Sequence, residues 1–553
     1  ARRTTSRDDR RLQRCRGRAK RRAVYVFAGR APEARALAEL LDDHGFAVRR
    51  LREKLTLPAL RLDVPRWGER RFAAGDWVVE SSGRATPLLE TLIEHKTPLD
   101  SAVQPPQGLE QEIEHYDITA WSLPLAFGVD AWRLDLANGT DRLANAPVEL
   151  AWRQVSPCAP IELDPSGGSR GPGWVLPPRG VAGYRSALQL LHRGVRLRRV
   201  TGTDGGAAER GAFLVPRRRQ NGELAELLID VARTDEICLE RLESSWPTEG
   251  TGLGSERVRP LRLARIGVAA GVGVDPVAHG HLWSLLDAHL DARPSRRLLA
   301  GLDRRRLADL DVFVLPDGAT GNALDFEDAQ VLEDWTRAGG TLIGLGRAAD
   351  WLRRQGLLSV ELRGADPVLE PAENTERPAA RPAIATPSAD DAFAITAVGF
   401  EDSEPPLDLP TFVAPPIDPP LPAGAGVEDE FELEPSPDLL LPGVVVAARV
   451  ATDHPLAAGM PKQASVLLTG GPLFEPASEP GLDLLTVRAI EPVLAGLVPD
   501  GRDDLLAGAV LATERPLGDG RIVAFTYDPA FRLFWRATMP LFLEAAVFRD
   551  IRP

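Results

Sequence analysis

The chain has 553 residues, 44% of them hydrophobic, so it is too long for one core and should form roughly three to four folding units. Its formal net charge of −13 argues against nucleic acid as a partner, because phosphate binding requires clustered Lys and Arg. No stretch approaches the roughly 18 consecutive apolar residues of a membrane helix, and no signal peptide is visible, so we predict no membrane span.

The start of the chain differs from the rest, since half of residues 1–22 are Lys or Arg. Such a polar run cannot bury enough apolar surface to fold, so we predict a disordered basic tail. The chain opens at Ala1 without an initiator Met, which favours a protein whose true beginning lies elsewhere. Cys15, Cys158 and Cys238 are odd in number and widely spaced, so we predict no disulfide framework and no CxxC metal site, and the redox compartment stays open.

Residues 23–130 are predicted to alternate strands and helices. AVYVFAG, at 23–29, is a short apolar run that ends in Gly and favours a strand. PEARALAELLDDHGF follows as an amphipathic helix, with Pro32 in its first turn and Gly45 near its end. FAVRRL and GDWVVE are then predicted as strands, and TPLLETLIEH as a second helix.

The same order returns at 173–247, with strand GWVLPP, helix YRSALQLLHRG, strands VRLRRV and GAFLVP, and helix ELAELLIDVAR. The joints DDHGFAVRRL and LLHRGVRLRRV are alike, as are FAAGDWVVES and ERGAFLVPRR. We interpret the two stretches as a divergent duplication of a β-α-β-β-α unit, and chance similarity among α/β segments is the alternative. Alternating residues such as PVELAW predict a β-rich connection at 131–172.

After a Gly- and Ser-rich linker at 248–260, residues 261–553 are predicted to form a flavodoxin-like domain. The continuously apolar strands RIGVAAG, DVFVLPDG and TLIGLG alternate with helices, which is typical of a parallel sheet covered on both faces. A Pro-rich, acidic stretch at 362–437 predicts a mobile, extended insertion. The predicted fold class is α/β: duplicated small α/β units followed by a flavodoxin-like doubly wound parallel-sheet domain.

The histidines do not form the signature of a zinc carboxypeptidase, which requires two His and a Glu on the metal and places His three residues before Glu. None of the eight His has an acidic residue three positions later. One local cluster combines His279, His281, Asp287 and His289. Because six residues span about 1.7 helical turns, His281 and Asp287 do not share a face, and partly exposed helix His are preferred over a metal site.

Other nucleophile motifs are also missing from the sequence. Flavodoxin-like domains related to glutamine amidotransferases place a Cys on a sharp strand-to-helix turn, which here would be 346–348, but no Cys follows Cys238. The only G-x-S-x-G lies at 167–171 in a Gly- and Pro-rich loop. The Gly pair in AGVGVD (270–275) fits a ligand approach or a tight turn equally well. We therefore predict no catalytic, cofactor-binding or metal-binding residue.

Several stretches, taken in order, resemble the region that follows the peptidase domain in large bacterial zinc carboxypeptidase-like proteins of the M14 family. They are YDITAWSLPLAFGV (116–129), RIGVAAGVGVD with DVFVLPDG and WTRAGGTLIGLG, DHPLAAGMP (453–461) with GGPLFEP, and GRIVAFTYDPAFR (520–532). The second group resembles the class I glutamine-amidotransferase-like domain that closes those chains. The resemblance spans most of 23–550 and offers no position for the family's metal ligands, and the acidic insertion departs from it.

The resemblance implies an accessory, non-catalytic region that packs on or positions a peptidase domain, in the same or another chain. Zinc is then expected only in that missing upstream domain, and the protein is expected to be exported. Two alternatives stay open. In one, the parent protein is an active metallocarboxypeptidase and this chain is a fragment of it; in the other, the chain is a stand-alone ligand-binding module.

For a binding module, the expected lining is the strand ends at Pro316, Asp317 and Gly346, on fold analogy alone. Within the resemblance, the roles of three residues stay open, with a structural turn and core anchor as the preferred interpretation: Tyr116, Asp117 and Trp121.

Overall fold

A computed structural model describes residues 22–29, 33–63, 66–82, 85–95, 120–134, 148–149, 171–177, 180–201, 208, 210–218, 220, 224–234, 237–242, 244–245, 252–364, 443–479, 481–496, 498 and 503–550. The predicted tail at 1–22, apart from its last residue, and the predicted insertion beyond Gly364 lie outside the described residues. The described part is mixed α/β, with antiparallel sheets and one mixed sheet, which confirms the α/β class.

The first sheet is antiparallel, with the strand order β4-β3-β6-β1-β5-β2-β7. Helices α1 (Ala34–Asp43) and α2 (Thr86–Ile93) contribute Leu37 and Leu89 to the core on one of its faces. A short helix, α3 (Leu123–Ala126), precedes the sixth strand. The strands are β1 (Arg22–Phe27), β2 (Ala47–Leu51), β3 (Leu55–Arg61), β4 (Arg66–Phe72), β5 (Trp77–Ser82), β6 (Ala131–Leu134) and β7 (Val148–Glu149).

The second sheet is also antiparallel, in the order β11-β8-β10-β9-β12-β23. Its helices are α4 (Gly180–His192) and α5 (Leu224–Thr234). The stretch predicted as a linker, 248–260, ends inside strand β12, and the last strand of the described chain also joins this sheet. The strands are β8 (Gly173–Leu176), β9 (Arg198–Val200), β10 (Phe213–Pro216), β11 (Glu240–Leu242), β12 (Val258–Leu263) and β23 (Phe548–Asp550).

The first two sheets contain the same order of four strands, β6-β1-β5-β2 in one and β11-β8-β10-β9 in the other. Their turns correspond as well. Gly45 and Gly194 follow the first helix of each sheet at φ 81° and 78°. Gly75 precedes β5 at φ 94°, and its amide donates to the last carbonyl of β2 at 2.7 Å. Gly211 precedes β10 at φ 83°, and its amide donates to the last carbonyl of β9 at 2.8 Å. Positive φ at all four positions is the conformation that glycine adopts without steric cost.

The third sheet is mixed. Its parallel part has the order β14-β13-β15-β16-β22, and its antiparallel part continues with β21-β19-β17-β18, with β20 beside β17. The strands are β13 (Ile266–Ala270), β14 (Ser295–Leu298), β15 (Val312–Leu315), β16 (Thr341–Leu345), β17 (Val444–Val450), β18 (Gln463–Leu468), β19 (Asp483–Val487), β20 (Val493–Ala495), β21 (Val510–Leu517) and β22 (Gly520–Phe525).

Helices pack on both faces of the parallel part. In β15, Val314 belongs to the core that contains Leu282 and Phe542, whereas Phe313 belongs to the core that contains Leu332 and Leu352. This alternation along a strand places the two cores on opposite faces. The helices are α6 (Pro276–Trp283, continued by a π-helical turn at Ser284–His289), α7 (Arg304–Leu307), α8 (Phe326–Arg337), α9 (Arg347–Arg354), α10 (Asp503–Leu506) and α11 (Met539–Ala546).

A buried charged cluster ties the second sheet to the last helix. Arg199 is fully buried and donates from Nε and Nη2 to the Glu544 carboxylate at 3.1 and 2.5 Å. The Tyr184 hydroxyl donates to the same carboxylate at 2.8 Å, and the guanidinium lies over the Phe213 ring, 4.0 Å from its centroid. Because each charge in this cluster has a partner, removing one partner would leave a buried charge unpaired.

Cys238 is disulfide-bonded, so the prediction of no disulfide framework is wrong for this residue. An odd cysteine count and wide spacing say little about pairing, because a disulfide needs two cysteines close in space and not in sequence. Among the residues that the structure describes, no helix combines the length and apolar character needed to cross a bilayer.

Candidate functional site

Strands β13, β15, β16 and β22 are parallel, so their carboxyl ends meet at one side of the sheet. We call the loops there, 271–275, 316–319, 346–347 and 526–530, the strand-end edge. It contains the lining predicted for a binding module, since Pro316 and Asp317 follow β15 directly and Gly346 follows β16. Ligands of open α/β sheets usually bind at such an edge, so its geometry tests whether the space is open.

Gly346 forms the sharp turn between β16 and α9. It has φ 53° and ψ −124°, and its amide donates to the Phe525 carbonyl at 2.8 Å. A Cβ atom on this residue would lie 2.8 Å from both Cγ and Oδ1 of Asp317. Within 346–348, the turn at which an amidotransferase-like nucleophile would stand, the sharply bent residue is therefore a glycine, and the Asp317 side chain lies beside it.

The carboxylates of the strand-end edge bind the chain's own amides. Asp317 Oδ1 accepts hydrogen bonds from the amides of Gly318 and Arg347, at 2.8 and 2.9 Å, and from Arg347 Nε at 3.1 Å. Asp275 Oδ1 accepts from two amides at the start of α6, at 2.7 and 3.0 Å, and Asp325 caps α8 in the same way. An anionic ligand binds to such amides at helix N-termini, and here they are already occupied.

The glycines of AGVGVD take part in loop packing at this edge. A Cβ on Gly318 would meet the Gly273 carbonyl oxygen at 2.5 Å, and a Cβ on Gly273 would meet the Ala323 side chain at 2.9 Å. The Asp275 amide donates to the Asp317 carbonyl at 2.9 Å. Gly271 and Gly273 have φ 90° and 83°, and the Val274 amide donates to the Gly271 carbonyl at 3.2 Å, which agrees with a tight turn, one of the two explanations left open by the sequence.

The histidines of the local cluster contact different partners. His279 Nδ1 lies 2.9 Å from the Ala269 carbonyl oxygen, and its ring stacks on Trp283. His281 Nδ1 lies 2.6 Å from Asp528 Oδ2, and His289 Nδ1 lies 3.0 Å from a backbone carbonyl. The described residues contain no group of three or more His, Cys, Asp or Glu side chains that could hold a metal ion.

Residues singled out by the other motifs are only partly described. The Trp121 ring stacks on Phe534 with centroids 6.2 Å apart, and it is partly buried in the core beneath the first sheet. Tyr116, Asp117 and Ser169 lie outside the described residues.

A cavity of about 140 Å³ lies where the three sheets and their helices meet, and we call it the junction cleft. The first sheet's region contributes His95 and the stretch 124–131, and the second contributes the start of α4 and Tyr184. The region of the third sheet contributes the stretch 458–465, Arg488 and Arg536. Clefts between packed regions are common places for small-molecule sites.

His95 is a buried neutral histidine in the lining of this cleft. Its side chain is only 8% exposed, and burial lowers the pKa of His95 to about 4, although the nearby Asp63 carboxylate opposes that shift. Nδ1 lies 3.1 Å from Ser122 Oγ, and this hydroxyl donates to the Ile93 carbonyl at 3.1 Å. A hydroxyl has one proton, so Nδ1 carries the imidazole proton and donates to Oγ. Nε2 is then a free acceptor, and it has no hydrogen-bond partner.

Three guanidinium groups line the junction cleft, and two of them have carboxylate partners. Arg61 contacts Asp63 through two hydrogen bonds at 2.5 and 2.7 Å. Arg536 donates to Glu33 at 2.9 Å. Arg488, which is half-buried, donates to the backbone carbonyl of residue 491 at 2.8 Å, while its Nε is buried without a partner. No described carboxylate lies within ion-pair distance of Arg488.

Glu33 fixes the wall between the three regions. It is 6% exposed, and besides Arg536 it accepts a hydrogen bond from the Val181 amide at the start of α4, at 2.7 Å. Gly180 permits this contact, because a Cβ there would lie 1.9 Å from Glu33 Oε1. One buried carboxylate thus joins α1, α4 and the segment before α11, which positions the lining of the cleft.

Sequence reasoning missed His95 and Arg488 as site residues. His95 has no Glu three positions later, and Arg488 belongs to no motif. They lie far apart in the chain, and only the packing of the regions brings both to one cavity. A local sequence signal for such a pair does not exist, because neither spacing nor periodicity links them.

Comparison with known protein families and with curated proteins finds no family model and no protein that matches this chain. The residues and geometry above therefore have to support any account of function. Two features carry the chemistry: a strand-end edge whose aspartates bind backbone amides, and a junction cleft whose lining includes buried nitrogen atoms without a partner.

Proposed function

We propose that this chain is an accessory, non-catalytic region of an M14-type zinc carboxypeptidase-like protein, which packs on or positions a peptidase domain. The ordered resemblance of the sequence suggests the family, and the geometry of the strand-end edge supports the non-catalytic role. We also propose that the third region is a flavodoxin-like domain related to the class I glutamine amidotransferases.

The observation that carries the non-catalytic role is the turn at Gly346. In acyl-transfer enzymes with a strand-to-helix elbow, the nucleophile stands at such a turn so that its reactive atom is exposed above the sheet. Here the bent residue, Gly346, has no side chain, and Asp317, held by three hydrogen bonds, occupies the space that a side chain at this position would need. The domain thus keeps the backbone of an elbow while its residues stabilise the fold.

The first two sheets support a scaffold built by duplication. We propose that both derive from one β-α-β-β-α-β unit, because four strands have the same order in each and the glycine turns at corresponding joints match. This strand order is that of a split β-α-β, or ferredoxin-like, unit. Buried contacts such as Glu33 with Arg536 and Arg199 with Glu544 link both sheets to the third region, as expected of a rigid spacer.

The disulfide at Cys238 fits the expected export, because disulfides persist mainly in oxidising compartments. The fragment and binding-module alternatives make different predictions from the accessory role. A binding module that uses the strand-end edge needs open amides there, and the Asp caps leave few of them.

The experiment combines two assays with the coding DNA upstream of the Ala1 codon. The purified chain is incubated with zinc and peptides, and with glutamine, to measure released C-terminal amino acids and ammonia. We expect neither product, and we expect the upstream DNA to encode an in-frame peptidase domain with His-x-x-Glu and a later His. Release of C-terminal residues by the chain with stoichiometric zinc would refute the proposal, as would a stop codon and a start site close to Ala1.

A further inference from the structure

The second sheet has an open groove of about 1450 Å³ at the end where β9 begins and β10 ends, and we call it the arginine groove. Its described lining contains five guanidinium groups and no carboxylate, although the whole chain has a formal net charge of −13. A surface of this charge attracts anions. The five residues are Arg196, Arg198, Arg217, Arg218 and Arg262.

Strand register places three of these arginines side by side. Arg198 lies opposite Pro260 in the antiparallel pair of β9 and β12, and the next residues of the two chain segments are still joined by a hydrogen bond of 3.0 Å. One residue further along, Arg196 comes opposite Arg262. The α-carbons of directly opposed residues are about 4.5–5.5 Å apart, so one small ligand can reach both guanidinium groups.

These three side chains share one face of the sheet. Leu197 and Leu261 are buried in the core that also contains residues of α4. Because side chains alternate along a strand, Arg196, Arg198 and Arg262 project from the opposite face. Arg196 and Arg262 are exposed and Arg198 is half-buried, so their charged groups face solvent.

Gln220 joins a further exposed arginine to this group. Its side-chain oxygen accepts from the Arg196 amide at 2.8 Å, and its Nε2 donates to the carbonyls of Arg196 and Pro216 at 2.9 and 2.7 Å. Arg218 is exposed and follows Pro216 by two residues, so it lies at the same end of the sheet. The backbone beneath the arginines is therefore held in place without a ligand.

The positive charges of the groove are not neutralised by the described part of the chain. Among the described residues, no carboxylate lies at ion-pair distance from Arg196, Arg218 or Arg262. On the other side of β12, Arg262 lies opposite Arg549, whose guanidinium pairs with Asp311. Like charges directly opposite each other destabilise a sheet, and a bound anion would remove that repulsion.

The lining also discriminates among classes of anion. The described lining has no aromatic ring on which a nucleic-acid base could stack. Carboxylates on one side of an extended acidic peptide are about 6.6 Å apart, whereas neighbouring strands are only about 4.8 Å apart. Linked phosphate groups carry a more closely spaced charge, and guanidinium groups bind phosphate oxygens through paired hydrogen bonds.

We propose that the arginine groove binds an oligophosphate, a chain of linked phosphate groups whose oxygens accept hydrogen bonds from Arg196, Arg218 and Arg262. The site is separate from the junction cleft and from the strand-end edge. The inference is independent of the accessory role and goes beyond it.

The test is calorimetric titration of the full chain with sodium tripolyphosphate in metal-free buffer, with sulfate and short poly-L-glutamate as comparison ligands. We expect saturable binding of tripolyphosphate that is at least about tenfold tighter than binding of either comparison ligand, because more charge-assisted hydrogen bonds form. Sulfate binding of equal strength would show an adventitious ion only. Tighter binding of poly-L-glutamate would assign the groove to acidic peptides. Either result overturns the proposal, as does the absence of saturable heat with tripolyphosphate.

Variants assign the binding to the groove. Arg196→Gln and Arg262→Gln should each weaken tripolyphosphate binding about tenfold or more. Arg449→Gln, which changes an exposed arginine on β17, is the matched control and should bind as the unaltered chain does. The proposal is wrong if both groove variants bind like this control.

Urea unfolding without ligand gives a second readout that does not depend on binding. Removing one of two opposed positive charges relieves repulsion, so Arg262→Gln should unfold at the same urea concentration as the unaltered chain or at a higher one. A lower midpoint would mean that Arg262 has a stabilising partner in the chain, and its charge would then not be open to a ligand.

Discussion

At the strand-end edge the aspartates accept hydrogen bonds from nearby backbone amides, whereas the lining of the junction cleft includes two buried nitrogen atoms without a partner. Asp317 and Asp275 accept hydrogen bonds from the amides that a ligand would otherwise use. In the cleft, His95 Nε2 and Arg488 Nε are buried and unpaired. A buried polar atom without a partner costs free energy, and the strand-end edge also contains two such atoms, the hydroxyl oxygens of Thr526 and Tyr527.

The difference between the two regions shows how fold analogy can point to the wrong place. The strand-end edge is where an open α/β sheet usually binds its ligand, but here Asp317 and Asp275 accept hydrogen bonds from the backbone amides at that edge. The cleft has no such precedent and depends on contacts among three regions. Function is therefore better argued here from individual side chains than from sheet topology.

The largest expected effect concerns the buried ion pair between Arg199 and Glu544, and it tests whether this pair stabilises the region around the junction cleft. Glu544→Ala leaves Arg199 buried without its carboxylate and frees Tyr184, a lining residue, from its hydrogen bond. We expect a loss of about 3–5 kcal/mol in the free energy of unfolding, measured by urea titration. Asp334→Ala, which breaks the exposed pair with Arg304, is the control and should cost about 0.5 kcal/mol or less. Equal losses in the two variants would show that the buried cluster does not hold the cleft.

The second prediction concerns pH. The pKa of His95 is lowered from 6.5 to about 4 in the folded chain by burial. Above pH 6.5 neither state binds the proton, but between pH 6.5 and 4 the unfolded chain does and the folded chain does not. Folding stability should therefore fall as the pH decreases through that window, by about 3 kcal/mol in total from this group.

The readout is the difference between the unaltered chain and His95→Asn at pH 7 and pH 4.5. His95→Asn should not lose the stability that the unaltered chain loses when the pH falls below the pKa of an unfolded histidine. The free energies of unfolding of the two chains should therefore converge as the pH falls. His44→Asn, at an exposed helix end, should follow the unaltered chain throughout. A His95→Asn curve parallel to that of the unaltered chain would mean that the imidazole is not buried in the neutral form.

The α/β class and five elements of each of the first two sheets' regions were predictable, because apolar runs, helical periodicity and glycine stops are local signals, but strands β3, β4 and β11 were not predicted. The sequence also locates the turn at Gly346, since a strand and a helix flank it. Pairing across the chain was not predictable. Strand β12 begins inside the predicted linker, and the disulfide of Cys238 and the meeting of His95 with Arg488 depend on tertiary packing that no spacing encodes.

The third prediction tests the closed state of the strand-end edge. Gly346→Ala places a Cβ 2.8 Å from Asp317 at a residue with φ 53°, so both contact and backbone strain oppose it. We expect a loss of about 2 kcal/mol by thermal and urea unfolding. Gly254→Ala is the matched control, because a Cβ there meets nothing within 4 Å. If Gly346→Ala is as stable as Gly254→Ala, the edge has room for a side chain and the contrast with the cleft is weaker.

The smallest effect is expected at the start of α6. Asp275→Ala removes the side chain that accepts from the Val277 and Ala278 amides, and loss of such a cap costs about 1 kcal/mol. Asp275→Asn keeps an accepting oxygen and should stay close to the unaltered chain. The freed amides should also make inorganic phosphate stabilise Asp275→Ala more than it stabilises the unaltered chain, because a helix N-terminus favours anions. If phosphate stabilises the unaltered chain and Asp275→Ala equally, the caps do not close the strand-end edge, and that edge regains its place as a binding site.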